Sequence, residues 1–159
     1  GGHIGEKLNN IAKVLNFYTV IFDDRLEYKD EERLKSADEL IIGNIEENLN
    51  SFNFNKEDYV VIVTRGHLTD KEALRSVIKV NTSYTGMIGS LKKVKGIMKD
   101  LIEEGIPEED LRKVYAPMGL DIASSLPEEI ALGILSEILL IKNNGSLKHK
   151  NEVKRVWDN

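Results

Sequence analysis

Hydrophobic residues along this chain follow two periodicities in alternation, a pattern typical of α/β proteins. Residues 59–63 read Tyr-Val-Val-Ile-Val, a near-continuous apolar run rich in β-branched side chains. Such a run predicts a central strand that is covered on both faces. Apolar positions at helical spacing then follow in residues 70–79. This order of strand and helix predicts parallel strands joined by helices.

The same alternation extends over most of the chain. Further strands are predicted at residues 18–22, 40–42 and 114–117, and a short strand within 83–90 runs into a glycine turn. Helices are predicted at residues 6–15, 70–79, 92–104 and 127–141, with helical turns at 45–49 and 107–111 and a polar helix or loop at 31–37. We therefore predict a Rossmann-like α/β fold, a three-layer open sheet that is mainly parallel.

A glycine turn precedes the first predicted helix, and an acid ends the strand after it. Gly2, Gly5 and Asp23 match the second half of the dinucleotide-binding fingerprint. In this interpretation Gly2 lets the backbone approach a pyrophosphate, Gly5 allows close helix–strand packing, and Asp23 accepts hydrogen bonds from ribose hydroxyls. His3 would face the cleft, and the alternative is a plain tight turn. Because the first glycine and the strand before it are absent, we expect the chain to begin inside a domain.

The residues after the central strand are candidates for ligand binding. Thr64, Arg65, Gly66 and His67 lie at the strand's carboxyl end, the edge where open α/β sheets bind ligands. Arg65 suits a phosphate or carboxylate, which it would hold through two parallel hydrogen bonds, or else a salt bridge to a loop. His67 would hydrogen-bond a ligand or act in acid–base chemistry. A metal site of His67 and Asp70 is an alternative that we do not adopt.

A second glycine turn repeats the features of the first. Gly86, Gly89 and Ser90 precede the predicted helix at 92–104, so they form a second candidate anion site. The alternative is that the glycines only permit a chain reversal. The helix carries lysines that we interpret as a solvated face rather than a phosphate clamp, at positions Lys92, Lys93, Lys95 and Lys99.

Composition narrows the class of protein. The 159 residues are 41% hydrophobic and 31% charged, as in an ordinary globular domain, and the formal net charge of −5 argues against a nucleic-acid partner. The absence of cysteine excludes disulfides and cysteine-ligated metals. No apolar run is long enough to span a bilayer, so we expect a cytoplasmic protein without membrane contact. We expect one domain, at residues 1–145, and a polar, basic tail at 146–159.

The accumulated motifs resemble, in chain order, the signatures of the XdhC/CoxI family, the xanthine dehydrogenase accessory proteins. The resemblance covers residues 1–141 and matches the family's C-terminal, Rossmann-like domain. It is carried by Gly2-His3-Ile4-Gly5, Phe22-Asp23-Asp24-Arg25, Val63-Thr64-Arg65-Gly66-His67 with Asp70, Tyr84-Thr85-Gly86-Met87-Ile88-Gly89-Ser90, Ala116-Pro117-Met118-Gly119-Leu120-Asp121-Ile122 and Pro127-Glu128-Glu129-Ile130-Ala131.

The resemblance implies a chaperone for the molybdenum cofactor, as molybdopterin or its dinucleotide form. Such a protein promotes sulfuration of the cofactor and its insertion into a molybdenum hydroxylase of the xanthine dehydrogenase type. A cysteine desulfurase partner would transfer the sulfur, which fits a chain without a thiol. The resemblance also implies an N-terminal domain upstream, and we expect a homodimer. The expected cofactor-binding residues are Gly2, His3, Gly5, Asp23, Thr64, Arg65, Gly66, His67, Gly86, Gly89 and Ser90.

Two other functions remain open. An oxidoreductase that uses NAD or NADP would explain the glycine turn, and Asp23 would then favour NAD because its charge repels a 2′-phosphate. A nucleotide-sensing or partner-docking module would need no chemistry at all. Leu126 departs from the family pattern, which tends to have a polar residue before Pro127, and this weak helix cap is expected to affect stability only.

Overall fold

The fold is an alternation of short parallel strands and helices, seen in a computed structural model that describes residues 2–27 and 34–153. Its strands are β1 (Val20–Asp23), β2 (Glu39–Ile42), β3 (Tyr59–Ile62) and β4 (Tyr84–Met87). Its helices are α1 (His3–Val14), α2 (Ile45–Ser51), α3 (His67–Val77), α4 (Leu91–Glu103), α5 (Glu108–Leu111), α6 (Pro127–Lys142) and α7 (Lys150–Val153).

Helices cover the strands on both faces, so the molecule has three layers. Val60 and Ile62 of β3 pack with α2, α3 and α4 in one core, whereas Tyr59 and Val61 pack with α1 and α6 in the other. The apolar residues of β3 therefore point alternately into two cores, which explains why this strand is a continuous hydrophobic run. The prediction of a Rossmann-like α/β fold with parallel strands is confirmed.

The strands form two separate parallel pairs. Val20 of β1 is in register with Glu39 of β2, and Tyr59 of β3 with Tyr84 of β4. In β1 and β3, the carbonyls of alternate residues face the partner strand. The Asp23 carbonyl accepts from the Gly43 N–H, just after β2, and the Ile62 carbonyl accepts from the Ile88 N–H, just after β4. The backbone groups of the residues between them consequently point the other way, into a gap between β1 and β3.

The gap between β1 and β3 has the surroundings expected for one further strand of the sheet. The described residues of β1 and β3 pair on one side only, and helices lie above and below the space between them. Buried backbone N–H and C=O groups need partners, and one further parallel strand would supply them. The expected first strand, upstream of Gly2, would fit this gap, and it stays a prediction.

Three predicted boundaries were wrong. Helix α1 starts at His3 rather than at residue 6, and α3 starts at His67 rather than at residue 70, so both histidines belong to helices. The last predicted strand is reduced to a bridge between Tyr115 and Gly86. Pro117 has no N–H with which to extend that ladder, and the Met118 N–H bonds to Met87.

The two ends of the last long helix are held locally. At its start the Glu129 carboxylate accepts hydrogen bonds from the N–H groups of Ser125 and Leu126, at 3.1 and 3.2 Å, and compensates for the apolar cap residue Leu126. At its end the chain continues through exposed residues into the short helix α7. The remainder of the expected tail, residues 154–159, lies outside the described residues, as do residues 31–33 of the predicted polar helix or loop at 31–37.

Within the described ranges, every helix is too short or too polar to span a membrane.

A hydrogen-bonded carboxylate joins β4 to the loop that follows it. Glu137 of α6 accepts hydrogen bonds from the buried Tyr84 hydroxyl at 2.7 Å and from the Gly119 N–H at 2.9 Å. The Tyr84 ring folds over Gly86, where a Cβ would lie 2.7 Å from ring carbons. Gly86 therefore lacks a side chain because the tyrosine occupies that space.

We expect the gap to accept a strand in a longer chain that includes residues before Gly2. Backbone amides of Val20, Phe22 and Val61 should then exchange with solvent slowly, because they would join a ladder, and quickly in residues 1–159 alone. Amides of Ile21 and Val60, which face existing partner strands, serve as internal controls and should be protected in both chains. Equal exchange of Val61 in the two chains would contradict the prediction.

Replacing Tyr84 with Phe should cost roughly 1–3 kcal/mol at neutral pH, because the Glu137 oxygen loses a buried donor. Burial first, and the hydrogen bond to Glu137 second, raise the pKa of Tyr84. A raised folded-state pKa gives stability that is present below about pH 10 and lost as the pH rises further. Urea unfolding at neutral and alkaline pH should show a smaller alkaline loss in Tyr84→Phe. The exposed Tyr18→Phe is the control.

Candidate functional site

The gap between β1 and β3, called here the cleft, has a volume of about 880 Å³. Its middle is apolar, since strand side chains and the inner faces of α1, α3 and α6 line it. Its polar end lies at the carboxyl edge of the strands, where parallel α/β sheets place ligand sites. The residues found at that end are Gly2, Asp23, Asp24, Arg25, Thr64, Arg65, Gly66 and Thr69. We take this polar end, called here the carboxyl edge, as the candidate site.

Two helices reach the carboxyl edge without a side-chain cap. Gly2 is the N-cap residue of α1 and Gly66 that of α3, and neither helix start has a side-chain capping hydrogen bond. Elsewhere Asn44 caps α2 and Ser90 caps α4 through side-chain oxygens. The first N–H groups of α1 and α3 can therefore donate to an external acceptor. The helix dipoles make an anion the favoured acceptor.

Arg65 adds a positive charge beside these helix ends. Its side chain is exposed, and its Nε lies 3.9 Å from the position that a Cβ on Gly2 would occupy. Gly2 and Arg65 are thus neighbours in space although they are far apart in the sequence. The fold brings them together because α1 begins, and β3 ends, at the carboxyl edge.

Asp23 lies at the same edge, but its carboxylate is already hydrogen-bonded within the protein. It is 4% exposed, and Arg25 donates to both carboxylate oxygens, from Nε at 2.8 Å and from Nη2 at 2.7 Å. Burial favours the neutral form, but hydrogen bonds, led by those of Arg25, outweigh it and hold the pKa of Asp23 below its usual range. The carboxylate is therefore charged and paired, and it is poorly placed to accept from a ribose.

The 64–66 loop, which joins β3 to α3, is hydrogen-bonded to a buried acid. Asp70 of α3 is fully buried and accepts hydrogen bonds from the Thr64 hydroxyl and, at 3.2 Å, from the Thr64 N–H. The ammonium group of Lys93 on α4 contacts the other carboxylate oxygen. The interpretation of Lys93 as part of a solvated face was therefore wrong.

The structure does not bring the two predicted histidines into the cleft. His3 is an exposed residue in the first turn of α1 and does not line the cleft. His67 points toward α4, where its Nε2 lies 3.5 Å from an Asp100 oxygen. Its neighbour Asp70 faces the protein interior, so the two do not converge. In the described ranges no group of three or more potential metal-ligating residues occurs.

The second glycine turn also lies apart from the cleft. Gly86 is covered by Tyr84, and Ser90 uses its hydroxyl to cap α4. Gly89 has a φ of +156°, and a Cβ there would lie 3.2 Å from the Cδ atom of Lys93. This turn therefore reverses the chain and leaves room for the Lys93 side chain to pack over Gly89. Of the expected site residues, the cleft gathers Gly2, Gly5, Asp23, Thr64, Arg65 and Gly66.

The functional residues that sequence reasoning missed are those that support the site. Arg25 stands in the family signature Phe22-Asp23-Asp24-Arg25, but its pairing with Asp23 was not predicted, and neither was the pairing of Asp70 with Lys93, which joins two successive helices. A buried acid in the first turn of a helix carries no periodic signal of its own. A threonine six residues before an acid is too common in sequences to indicate the contact between Thr64 and Asp70.

The chain matches the family model described as the XdhC Rossmann domain over residues 1–138. It is similar to an uncharacterized protein of Escherichia coli, YqeB, with 28% identity over 90% of this chain and 26% of that protein. It is also similar to a Bacillus subtilis protein described as a probable xanthine dehydrogenase subunit, with 28% identity over 83% of this chain and 38% of that protein.

One solved structure supports the same assignment of fold. A crystal structure described as a xanthine dehydrogenase from Bacillus halodurans matches with a TM-score of 0.78 and 26% identity. The match covers 92% of this chain and 41% of that one. The chain therefore spans between about a quarter and two fifths of the length of these relatives.

Replacing Arg25 with Met should raise the pKa of Asp23, because a buried carboxylate would lose its main donors. A depressed folded-state pKa gives stability that is present above the unfolded value and lost as the pH falls through the folded value. The variant should therefore begin acid unfolding at a higher pH, and lose roughly 1.5–3 kcal/mol at neutral pH. NMR titration of the Asp23 carboxyl carbon measures the shift. Arg112→Met, which removes an exposed pair with Glu108, is the control.

Proposed function

The chain belongs to the XdhC Rossmann domain family, and on that premise we propose that it acts as an accessory protein of a xanthine dehydrogenase-type molybdenum hydroxylase. In this role it binds the molybdenum cofactor, promotes the sulfurated form and hands it to the enzyme. The observation that carries the proposal is the carboxyl edge, where two uncapped helix N-termini and Arg65 surround one small region. This region suits the phosphate of a pterin cofactor.

The chemistry of the donors fits such a phosphate. The first N–H groups of α1 and α3 would donate to its oxygens, and the Arg65 guanidinium would provide two parallel hydrogen bonds. The glycines at 2 and 66 leave both helix starts open to close approach, since neither carries a Cβ. These residues bind and orient an anion, and the sulfur chemistry would belong to the cofactor and to a cysteine desulfurase partner.

A nicotinamide dinucleotide is the second candidate, because its pyrophosphate would use the same helix ends. The position of Asp23 at the end of β1 favours this ligand. Against it, both Asp23 oxygens accept from Arg25 and the side chain is buried. The geometry therefore favours a ligand that is held by its phosphate over one that depends on a ribose contact.

The proposal includes a homodimer in the cytoplasm. A docking module without a small ligand is the third candidate, for which an edge that retains no small ligand would be the evidence.

The test is native mass spectrometry of the full-length protein, titrated separately with molybdenum cofactor and with NAD. We expect retention of the pterin. Arg65→Ala should weaken it by roughly tenfold to a hundredfold, the value of a charge-assisted contact to phosphate. Arg112→Ala is the matched control, because it removes an exposed arginine whose carboxylate partner, Glu108, lies one helical turn away.

Each result assigns the function differently. Pterin retention that falls in Arg65→Ala and not in Arg112→Ala supports the accessory role. Retention of NAD alone would instead indicate the dinucleotide oxidoreductase, and retention of neither ligand would indicate the docking module. Thermal unfolding of both variants shows whether any loss of binding reflects loss of fold.

A further inference from the structure

We propose that the ion pair between the buried Asp70 and the partly exposed Lys93 positions the 64–66 loop, and with it Arg65, for binding an anion at the carboxyl edge. Asp70 and Lys93 are positioning residues, since Asp70 contacts the loop and Lys93 contacts Asp70. The inference rests on the proposed function for the identity of the ligand only. Its geometric part concerns the protein without any ligand.

Asp70 connects α3 to the end of β3. One carboxylate oxygen accepts from both the N–H and the hydroxyl of Thr64, the first residue of the loop. The Thr64 hydroxyl in turn accepts from the Gly66 N–H at 3.4 Å, at the other end of the loop. Arg65 thus lies between two residues that are fixed, directly or through one hydroxyl, by a single buried carboxylate.

Lys93 supplies the charge that allows this carboxylate to be buried. Asp70 has no exposed surface, and an ionised carboxylate in such a place needs a cation and hydrogen bonds. The Lys93 side chain starts in the first turn of α4 and passes over Gly89, where a Cβ would lie 3.2 Å from Cδ. The second glycine turn is therefore linked to the first by this ion pair, although it lies outside the cleft.

A purely structural role for the pair is the simpler alternative. Buried ion pairs contribute little to stability compared with apolar residues of the same size, so stability alone is a weak reason for one. An apolar pair would leave the Thr64 N–H and hydroxyl without their acceptor. The specific consequence of having a carboxylate at 70 is a fixed conformation of the loop that carries Arg65.

Lys93→Met in the full-length protein tests the inference. Without ligand, NMR should show shifted signals for the Thr64 and Gly66 amides and the Arg65 Nε–H, and faster exchange of the Thr64 amide. Affinity for the molybdenum cofactor should fall by about tenfold, as for other residues that orient a contact group. Lys93→Arg, which keeps a cation at this place, should restore both readouts in large part.

Lys71→Met is the matched control. Lys71 lies on the same helix as Asp70, is similarly shielded at 17% exposure against 26% for Lys93, and is ion-paired with Glu104 at 3.0 Å. Glu104 follows the last turn of α4, at the opposite end of that helix from Lys93. Replacing Lys71 should therefore leave the loop signals and the affinity unchanged. A purely structural effect would lower the melting temperature of both variants alike.

The outcomes are separable from those of the function test. Loop signals that stay unchanged in a folded Lys93→Met, or that change equally in Lys71→Met, would overturn the positioning role. If the wild-type protein retains no molybdenum cofactor, the proposed function fails while the ligand-free signals still decide this inference. Asp70→Asn is the second variant and should shift the same signals. Should it fail to fold, Lys93→Met alone decides.

Discussion

Parallel strands must be covered on both faces, and the rest of this structure depends on that constraint. Each connection between parallel strands crosses one face of the sheet, so helices accumulate above and below it. The side chains of β3 consequently alternate between two hydrophobic cores. Because all strands run the same way, every strand ends and every following helix begins at one edge. The polar residues that terminate the strands are thereby gathered in one place.

The helices that begin at this edge differ in how their first N–H groups are used. Ser90 satisfies the start of α4 with its own hydroxyl, so that turn needs no ligand. Gly2 and Gly66 offer no side chain to α1 and α3, and their helix ends retain donor capacity. Local capping chemistry therefore separates a structural turn from a candidate binding turn, even though both contain glycine and precede a helix.

Charge at this edge is arranged in pairs. Asp23 is neutralised by Arg25, and Asp70 by Lys93, so the negative groups of these two residues are already engaged within the protein. An incoming anion consequently meets helix ends and Arg65 without an opposing unpaired carboxylate from either of them. This pairing lowers the negative charge that an anion meets at the edge of a chain with a formal net charge of −5, although the exposed Asp24 also lines that end.

Much of this protein was determined by its sequence alone. Hydrophobic periodicity predicted the strands and helices, their order and the parallel fold, because burial on one or both faces leaves a direct trace in residue spacing. The positions of Gly2, Asp23 and Arg65 at one edge followed from that order. Tertiary structure alone decided that His67 faces Asp100, that Tyr84 covers Gly86 and that Lys93 reaches Asp70. Those contacts join separate elements through side-chain directions, which spacing along the chain does not encode.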